Sequence, residues 1–573
     1  MKLRKLSITI LTFGLVSLLI LSACASNNNN STNTGGQNPV ETAGKGEDNS
    51  ASDNNGSDAN GGTASAEPMA KYDPPINLST SRSVDNTWKY VDGENLDNNV
   101  WTKGYLEELG INLTNDWSVA SSQYDEKLNV AIASGDLPDV FDVNATQLKK
   151  LVDAGQLADL TSAWETNATE FAQNMVLEDG GHAMQSATFD GKLYAIPQTT
   201  GAVDTAHVLW IRTDWLTKLG LSEPQSMEDV LAIAEAFTTQ DPDENGKKDT
   251  YGMAIHKNLW DGWAGLQGFF NAFHAYPNIW VKDQTTGQLV FGTVQPAMKT
   301  ALVELQKLYK MGVIDPEFGV KDPNKEGELA DKIGMFFGAQ WAPISPLQAA
   351  KTQDPEMDWK AFPIMDMEGQ LTNAQIKFPI IKYTVVRKGY EHPEALAKLA
   401  SFFAEKIYGP NKETTKYLTT PDGIEVFKPA LAQIRPALGG NQESQVKITA
   451  ALENGDPSNL DEGLKATYDS ILKFRNGDNS QWQWERVFGP VSSQNVLNQF
   501  VDQNLLQNNE FFGAPTETMG SKQSSLDKMT LEVLTKIIMG DASVEEFDNF
   551  TENWNKLGGS DITKEVNEWY AAQ

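Results

Sequence analysis

A single cysteine, Cys24, in a chain of 573 residues sets the terms on which this sequence can fold. With no second thiol there is no intrachain disulfide, no thiolate zinc cluster and no cysteine nucleophile further along, so a large body must be held by packing and hydrogen bonds. The cysteine stands directly behind Lys2, Arg4 and Lys5 and an apolar run from Leu6 to Ile20. That run is too short for a comfortable membrane span and reads as a secretory leader.

The segment Leu21-Ser22-Ala23-Cys24 resembles the bacterial lipobox, in which the cysteine is lipid-modified before the leader is cleaved. The expectation is a signal peptide over 1–23, with Cys24 as the lipidated first residue of the mature chain, carrying diacylglycerol and palmitate. Residues 25–70 are Asn, Ser, Gly, Asp, Thr and Ala in the main, with no aromatic residue, Leu or Ile. Such a segment buries too little apolar surface to offset its ordering entropy, so 24–70 is predicted to be a disordered tether. Its root-mean-square reach is roughly 40 Å. This places the body on the extracellular face of the cell membrane, held by its lipid.

The remaining length, about 500 residues, exceeds what one hydrophobic core supports and predicts at least two lobes. The formal charge of the whole chain is −31, and loss of Lys2, Arg4 and Lys5 with the leader makes it more negative by three. A nucleic-acid partner needs a concentrated Lys/Arg surface, so none is expected. The balance fits an acidic, soluble, monomeric extracellular protein.

Strand and helix patterns alternate, which predicts an α/β layered fold. Tyr124, Leu128, Ala131 and Ile132 share one face of a helix over Gln123–Ser134. Gly135-Asp136-Leu137-Pro138 then turns the chain into a short strand at Val140-Phe141. A second helix carries Leu148, Leu151 and Val152 and ends by Gly155. Val208–Ile211 reads as a strand, and Ser226 and Asp229 have capping-box spacing ahead of Val230, Ile233, Ala234 and Phe237. Another helix runs from Pro296 through Leu302, Leu305 and Leu308 to Gly312.

Five motifs in order resemble the large family of extracellular sugar-binding proteins of ABC importers, the broad group that includes maltose-binding protein. They are Ser134-Gly135-Asp136-Leu137-Pro138-Asp139-Val140, Gly155-Gln156-Leu157-Ala158-Asp159-Leu160, Asp190-Gly191-Lys192-Leu193-Tyr194-Ala195-Ile196-Pro197, Trp210-Ile211-Arg212-Thr213-Asp214-Trp215-Leu216, and the stretch Asp331–Pro343. Within the family the chain is most similar to the Gram-positive lipoproteins of complex-carbohydrate uptake and to the alginate-binding proteins. The resemblance implies an α/β, two-lobed periplasmic-binding-protein-like fold of type II, with hinge crossings between the lobes. It also implies an oligosaccharide in the cleft and delivery to ABC permease subunits. The expected layout is a first-lobe segment at 71–195 and a second-lobe segment at 196–370. A crossing with more of the first lobe follows at 371–430, then a helical segment at 431–573, mainly of the second lobe.

Sugars present apolar C–H faces and many hydroxyls, so their sites pair aromatic platforms with Asp, Asn, Gln and Arg. Trp341, just past Met335-Phe336-Phe337-Gly338, stands where the family places such a platform. Trp260 and Trp263 in an aromatic-rich stretch are further candidates, and Tyr194 is expected at a lobe crossing. Asn86, in the loop after the first strand, and Asp142 and Asn144, after Val140-Phe141, occupy places where family members present polar contacts; helix capping or an ordinary loop would serve equally for these three.

Asp241, Asp243, Asn245, Gly246, the Lys247 carbonyl and Asp249 match the first nine positions of an EF-hand-type calcium loop. The twelfth position is Gly252 rather than Glu, which removes the usual bidentate ligand. The alginate-binding proteins, which this stretch resembles, take a last ligand from the residue after the position-nine Asp, here Thr250. A structural Ca2+ is expected on Asp241, Asp243, Asn245, Lys247 and Asp249. The competing functional class is a surface-anchored polysaccharide hydrolase or lyase, which needs opposed carboxylates that spacing alone neither establishes nor excludes.

Overall fold

Runs of β-branched and aromatic residues form the strands, and the runs buried on both faces are the central ones. The computed structural model describes residues 67–573 apart from 261, 322–329 and 421–422. The leader, Cys24 and the tether up to residue 66 lie outside the described residues. Two sheets are built from β1 (Ile76–Val84), β2 (Ile111–Ala120), β3 (Val140–Val143), β4 (Ala195–Thr199), β5 (His207–Arg212), β6 (Tyr251–Met253), β7 (Ile333–Ala339), β8 (Trp359–Phe362) and β9 (Ile380–Val386).

The first sheet has the order β2-β1-β3-β9-β4, with β1 parallel to β2 and β3 and with β9 antiparallel to β3 and β4. The second has the order β8-β5-β7-β6, with β5 antiparallel to β8 and β7 and with β6 parallel to β7. Every residue of β5 (HVLWIR) and β7 (IGMFFGA) is buried, as fits the two inner strands of a sheet covered on both faces.

Two separate apolar cores follow from these sheets. One draws on Tyr72 to Ile196 and Tyr383 to Ile434, the other on Ala202 to Ile376 and Trp482 to Val566. The chain therefore passes between the lobes after Ile196, after Ile376 and after Ile434, which is the two-lobed α/β arrangement. The three passages lie side by side. The Thr199 hydroxyl donates to the Arg435 carbonyl at 2.6 Å and accepts the Arg435 N–H at 2.8 Å, while the Thr200 N–H reaches the Pro379 carbonyl at 2.9 Å.

The sequence-predicted helices are present at Ser121–Ser134, Ala145–Asp153, Met227–Thr239 and Pro296–Lys310, the third capped by the Ser226 side chain. The C-terminal region adds Asn441–Asn454, Glu462–Arg475, Trp482–Phe488, Ser493–Asp502 and the long Glu517–Met539. Among the described residues no helix is long and apolar enough to cross a membrane.

Candidate functional site

β1 and β3 run parallel and end at Val84 and Val143; β4 ends and β9 begins at the same edge, where the passages to the other lobe leave. In the second sheet β5 begins at His207 opposite Ala339, the last residue of β7. The turns after β1, β3 and β7 thus border the passages from both sides. Asn86, Asp142 and Asn144 stand on the first border and Trp341 on the second.

On the first border the carboxylate of Asp142 accepts the Gln198 amide at 2.7 Å and the Thr384 hydroxyl at 2.9 Å, and its carbonyl accepts the Tyr124 hydroxyl at 3.1 Å. Asn144 caps the helix at Ala145 in a capping box with Gln147, so one face of its amide serves the fold. Asn86 is exposed on a turn held by the Asp85 carboxylate. Sequence reasoning passed over Arg82, inside β1. Its guanidinium is buried, donates to the Pro429 carbonyl at 2.6 Å and leaves Nη1 without a partner. Burial pulls Arg82 below its usual basicity, and nearby Asp142 opposes that.

On the second border Trp341 is 37% exposed although it follows a fully buried strand. Its indole lies on Gly262, where an added Cβ would stand 3.0 Å from Cζ2. The Gly262 carbonyl accepts the Ala339 N–H at 2.7 Å, so the stretch containing Trp260 and Trp263 is docked against the end of β7. Trp260 is half-buried against Phe270, whereas Trp263 is enclosed in the second core with its ring 4.1 Å from that of Phe336. Leu259 and Ala264, on either side, have φ of 56° and 50°, left-handed values that are costly for such residues.

The helix Trp482–Phe488 packs on the turn Pro343–Leu347 that follows Trp341, and the Ser493 hydroxyl donates to the Gln340 carbonyl at 2.9 Å. That helix presents a stacked pair, Trp484 and Phe488, with ring centroids 6.3 Å apart. Neither ring belongs to the two apolar cores, and the same is true of Trp341 and of Trp88 and Tyr90 after β1. An aromatic pair at i,i+4 is indistinguishable in sequence from a core stripe, which is why Trp484 and Phe488 escaped notice.

Tyr194 is corrected in position. It precedes β4, at the end of the strand away from the passage that begins after Thr199, and it packs on the first core beside Phe189. The crossing expected at this motif follows β4 instead, because the chain runs the length of that strand before leaving the lobe.

The loop Asp241–Asp249 joins the helix Met227–Thr239 to β6. The Asn245 amide donates to Asp243 at 2.6 Å and Asp249 at 3.0 Å, while one oxygen each of Asp241 and Asp243 is buried without a partner. Gly246 has φ of 75°, the left-handed turn that the sixth position of such a loop requires. Neither Thr250 nor the twelfth position supplies a last ligand. The Thr250 hydroxyl is committed to the Phe237 carbonyl at 2.8 Å, and a Cβ on Gly252 would clash with the Ala234 carbonyl oxygen. Helix packing thus forbids a glutamate at position twelve. Among the described residues no three acidic, His or Cys side chains close on a common point, because Asn245 and the Lys332 ammonium stand between the loop carboxylates. The unpartnered buried oxygens nonetheless make the donor set one that fits a hard cation.

Comparison with known proteins agrees with this geometry. The chain is 26% identical over 482 residues to Lipoprotein LipO of Bacillus subtilis strain 168, covering 79% of this chain and 85% of that one. It is 22% identical over 470 residues to the polygalacturonan/rhamnogalacturonan-binding protein YtcQ of the same strain, covering 78% and 82%. Among solved structures, the alginate-binding protein AlgQ2 without calcium ion shares the fold, with a TM-score of 0.55 at 16% identity over 87% of this chain and 98% of that chain. Residues 88–410 match the sequence profile of the bacterial extracellular solute-binding proteins, and the chain belongs to that family.

Proposed function

We propose that this protein captures an oligosaccharide between its two lobes and delivers it, chemically unchanged, to the permease subunits of an ABC importer. The observation that carries the reading is a group of rings outside both apolar cores, among them Trp88, Tyr90, Trp341, Trp484 and Phe488, several of them on the two borders of the inter-lobe passages. Rings free of a core offer faces to sugar C–H surfaces, and Trp341 is the principal platform, with Trp260 beside it. Asp142, Asn144 and Asn86 supply hydroxyl contacts from the first lobe. In this reading 371–376 moves with the second lobe, with whose core Ala374 and Ile376 pack, and 431–434 with the first. The names of YtcQ and AlgQ2 support a carbohydrate ligand, and that of LipO supports a lipid anchor at Cys24 on the extracellular face. The protein acts as a monomer.

A structural calcium completes the reading. Asp241, Asp243, Asn245, the Lys247 carbonyl and Asp249 hold it, and the ion would fasten the turn between a core helix and β6.

A thermal-shift screen across neutral and uronic oligosaccharides tests the receptor reading, because a tight ligand raises stability by mass action. The expected result is a saturable rise with at least one saccharide and no new reducing or unsaturated ends. Turnover of the ligand would establish the hydrolase or lyase class instead. A melting temperature unchanged by chelator would refute the calcium.

A further inference from the structure

We infer that Lys332 is a built-in competitor of the calcium held by the Asp241–Asp249 loop, lowering the affinity of that site; this rests on the calcium reading above. The placement follows from sheet register. β6 begins where the loop ends and runs parallel to β7, with Tyr251 opposite Ile333 and the Tyr251 N–H on the Lys332 carbonyl at 2.8 Å. The residue immediately before β7 is therefore fixed beside the last residues of the loop. Its ammonium lies 2.8 Å from Asp249 Oδ2 and 3.4 Å from Asp243 Oδ2, two of the three carboxylates in the donor set.

The pair is not a fully solvated surface contact. The side chains of Lys332 and Asp243 are 28% and 19% exposed, so that contact is screened less than an open ion pair, while Asp249, at 38%, stands closer to solvent. A calcium ion seeking the same oxygens must displace the ammonium or sit within a few ångströms of a like charge. Both outcomes subtract from binding. The subtraction is not offset elsewhere, because Thr250 is turned to Phe237 and position twelve is closed by the helix. A loop of three carboxylates that already holds one lysine behaves, for a divalent cation, as a site of lower charge, and loop charge is one of the determinants of calcium affinity. The expected consequence is a site filled at the calcium levels found outside cells and left empty at much lower ones.

The test is a calcium titration by calorimetry of the mature protein, with Lys332→Gln, Lys332→Arg and Asp241→Ala, each checked for folding by its melt in chelator. Lys332→Gln is expected to bind calcium about tenfold more tightly than the natural protein, while Lys332→Arg, which keeps the charge, stays close to it. Binding in Lys332→Gln where the natural protein shows none would support the inference equally. Equal or weaker binding in Lys332→Gln beside a natural protein that does bind would overturn the role of Lys332 and leave the calcium site standing. Absence of calcium binding in every variant would overturn both. Asp241→Ala is expected to abolish the signal, which shows that the heat comes from this loop.

Discussion

Trp341 shows how a side chain is made available at the end of a buried strand. β7 spends all of its residues in the core, and the indole that follows is turned outward onto Gly262, which has no side chain to obstruct it. Because the ring is 37% exposed and outside both cores, removing it costs the fold little. Trp341→Ala is expected to lose about 2 kcal/mol of ligand affinity, roughly thirtyfold, by calorimetry, with stability changed by less than about 1 kcal/mol. Trp341 was legible because it follows a recognisable strand. Trp263, a further candidate in an aromatic-rich stretch, is enclosed against Phe336, since the docking of its loop on Ala339 is a contact between distant parts of the chain. Arg82 was missed because a residue inside a strand reads as part of the sheet, and only tertiary packing reveals the N–H left without an acceptor.

At the scale of elements, the helices were the most legible, since a 3.6-residue period and caps such as Ser226 are local signals. The sheet order was not. β9 enters between β3 and β4 from far along the chain, and the Gln198 amide meets the Thr384 hydroxyl across that join. The helix carrying Trp484 and Phe488 is likewise fixed by a distant partner. Asp358, beside β8, receives Arg486 through two bonds of 2.7 Å and the Trp482 indole N–H at 2.9 Å. Burial pushes the Asp358 carboxyl up, but Arg486 and the converging hydrogen bonds outweigh it and hold the group below the usual carboxylate range. A depressed value in the fold means that the stabilisation is present above the unfolded value and is lost as pH falls through the folded one. Asp358→Asn is therefore expected to cost about 1–2 kcal/mol near neutral pH. The gap in melting temperature from the natural protein should close as pH falls below about 4. A gap constant from pH 7 to pH 3 would contradict this assignment.

At the scale of the molecule, two cores joined by three adjacent passages form a hinge whose parts are tied to one another. Thr199 and Arg435 exchange hydrogen bonds across two of the passages, and Asp204, just beyond the first, accepts the amides of Asn441, Gln442 and Gln494 from the third passage and the second lobe. A ring stack between His182 of the first lobe and Phe512 of the second, with centroids 4.4 Å apart, adds a direct contact between the lobes. Ligand touching both borders favours the closed arrangement in proportion to its differential contacts there. The most direct measurement is small-angle X-ray scattering of the mature protein, with and without a saccharide already shown by calorimetry to bind. A smaller radius of gyration at saturation, with the saccharide recovered intact, is the predicted result; an unchanged radius at full occupancy would contradict capture by closure of the two lobes.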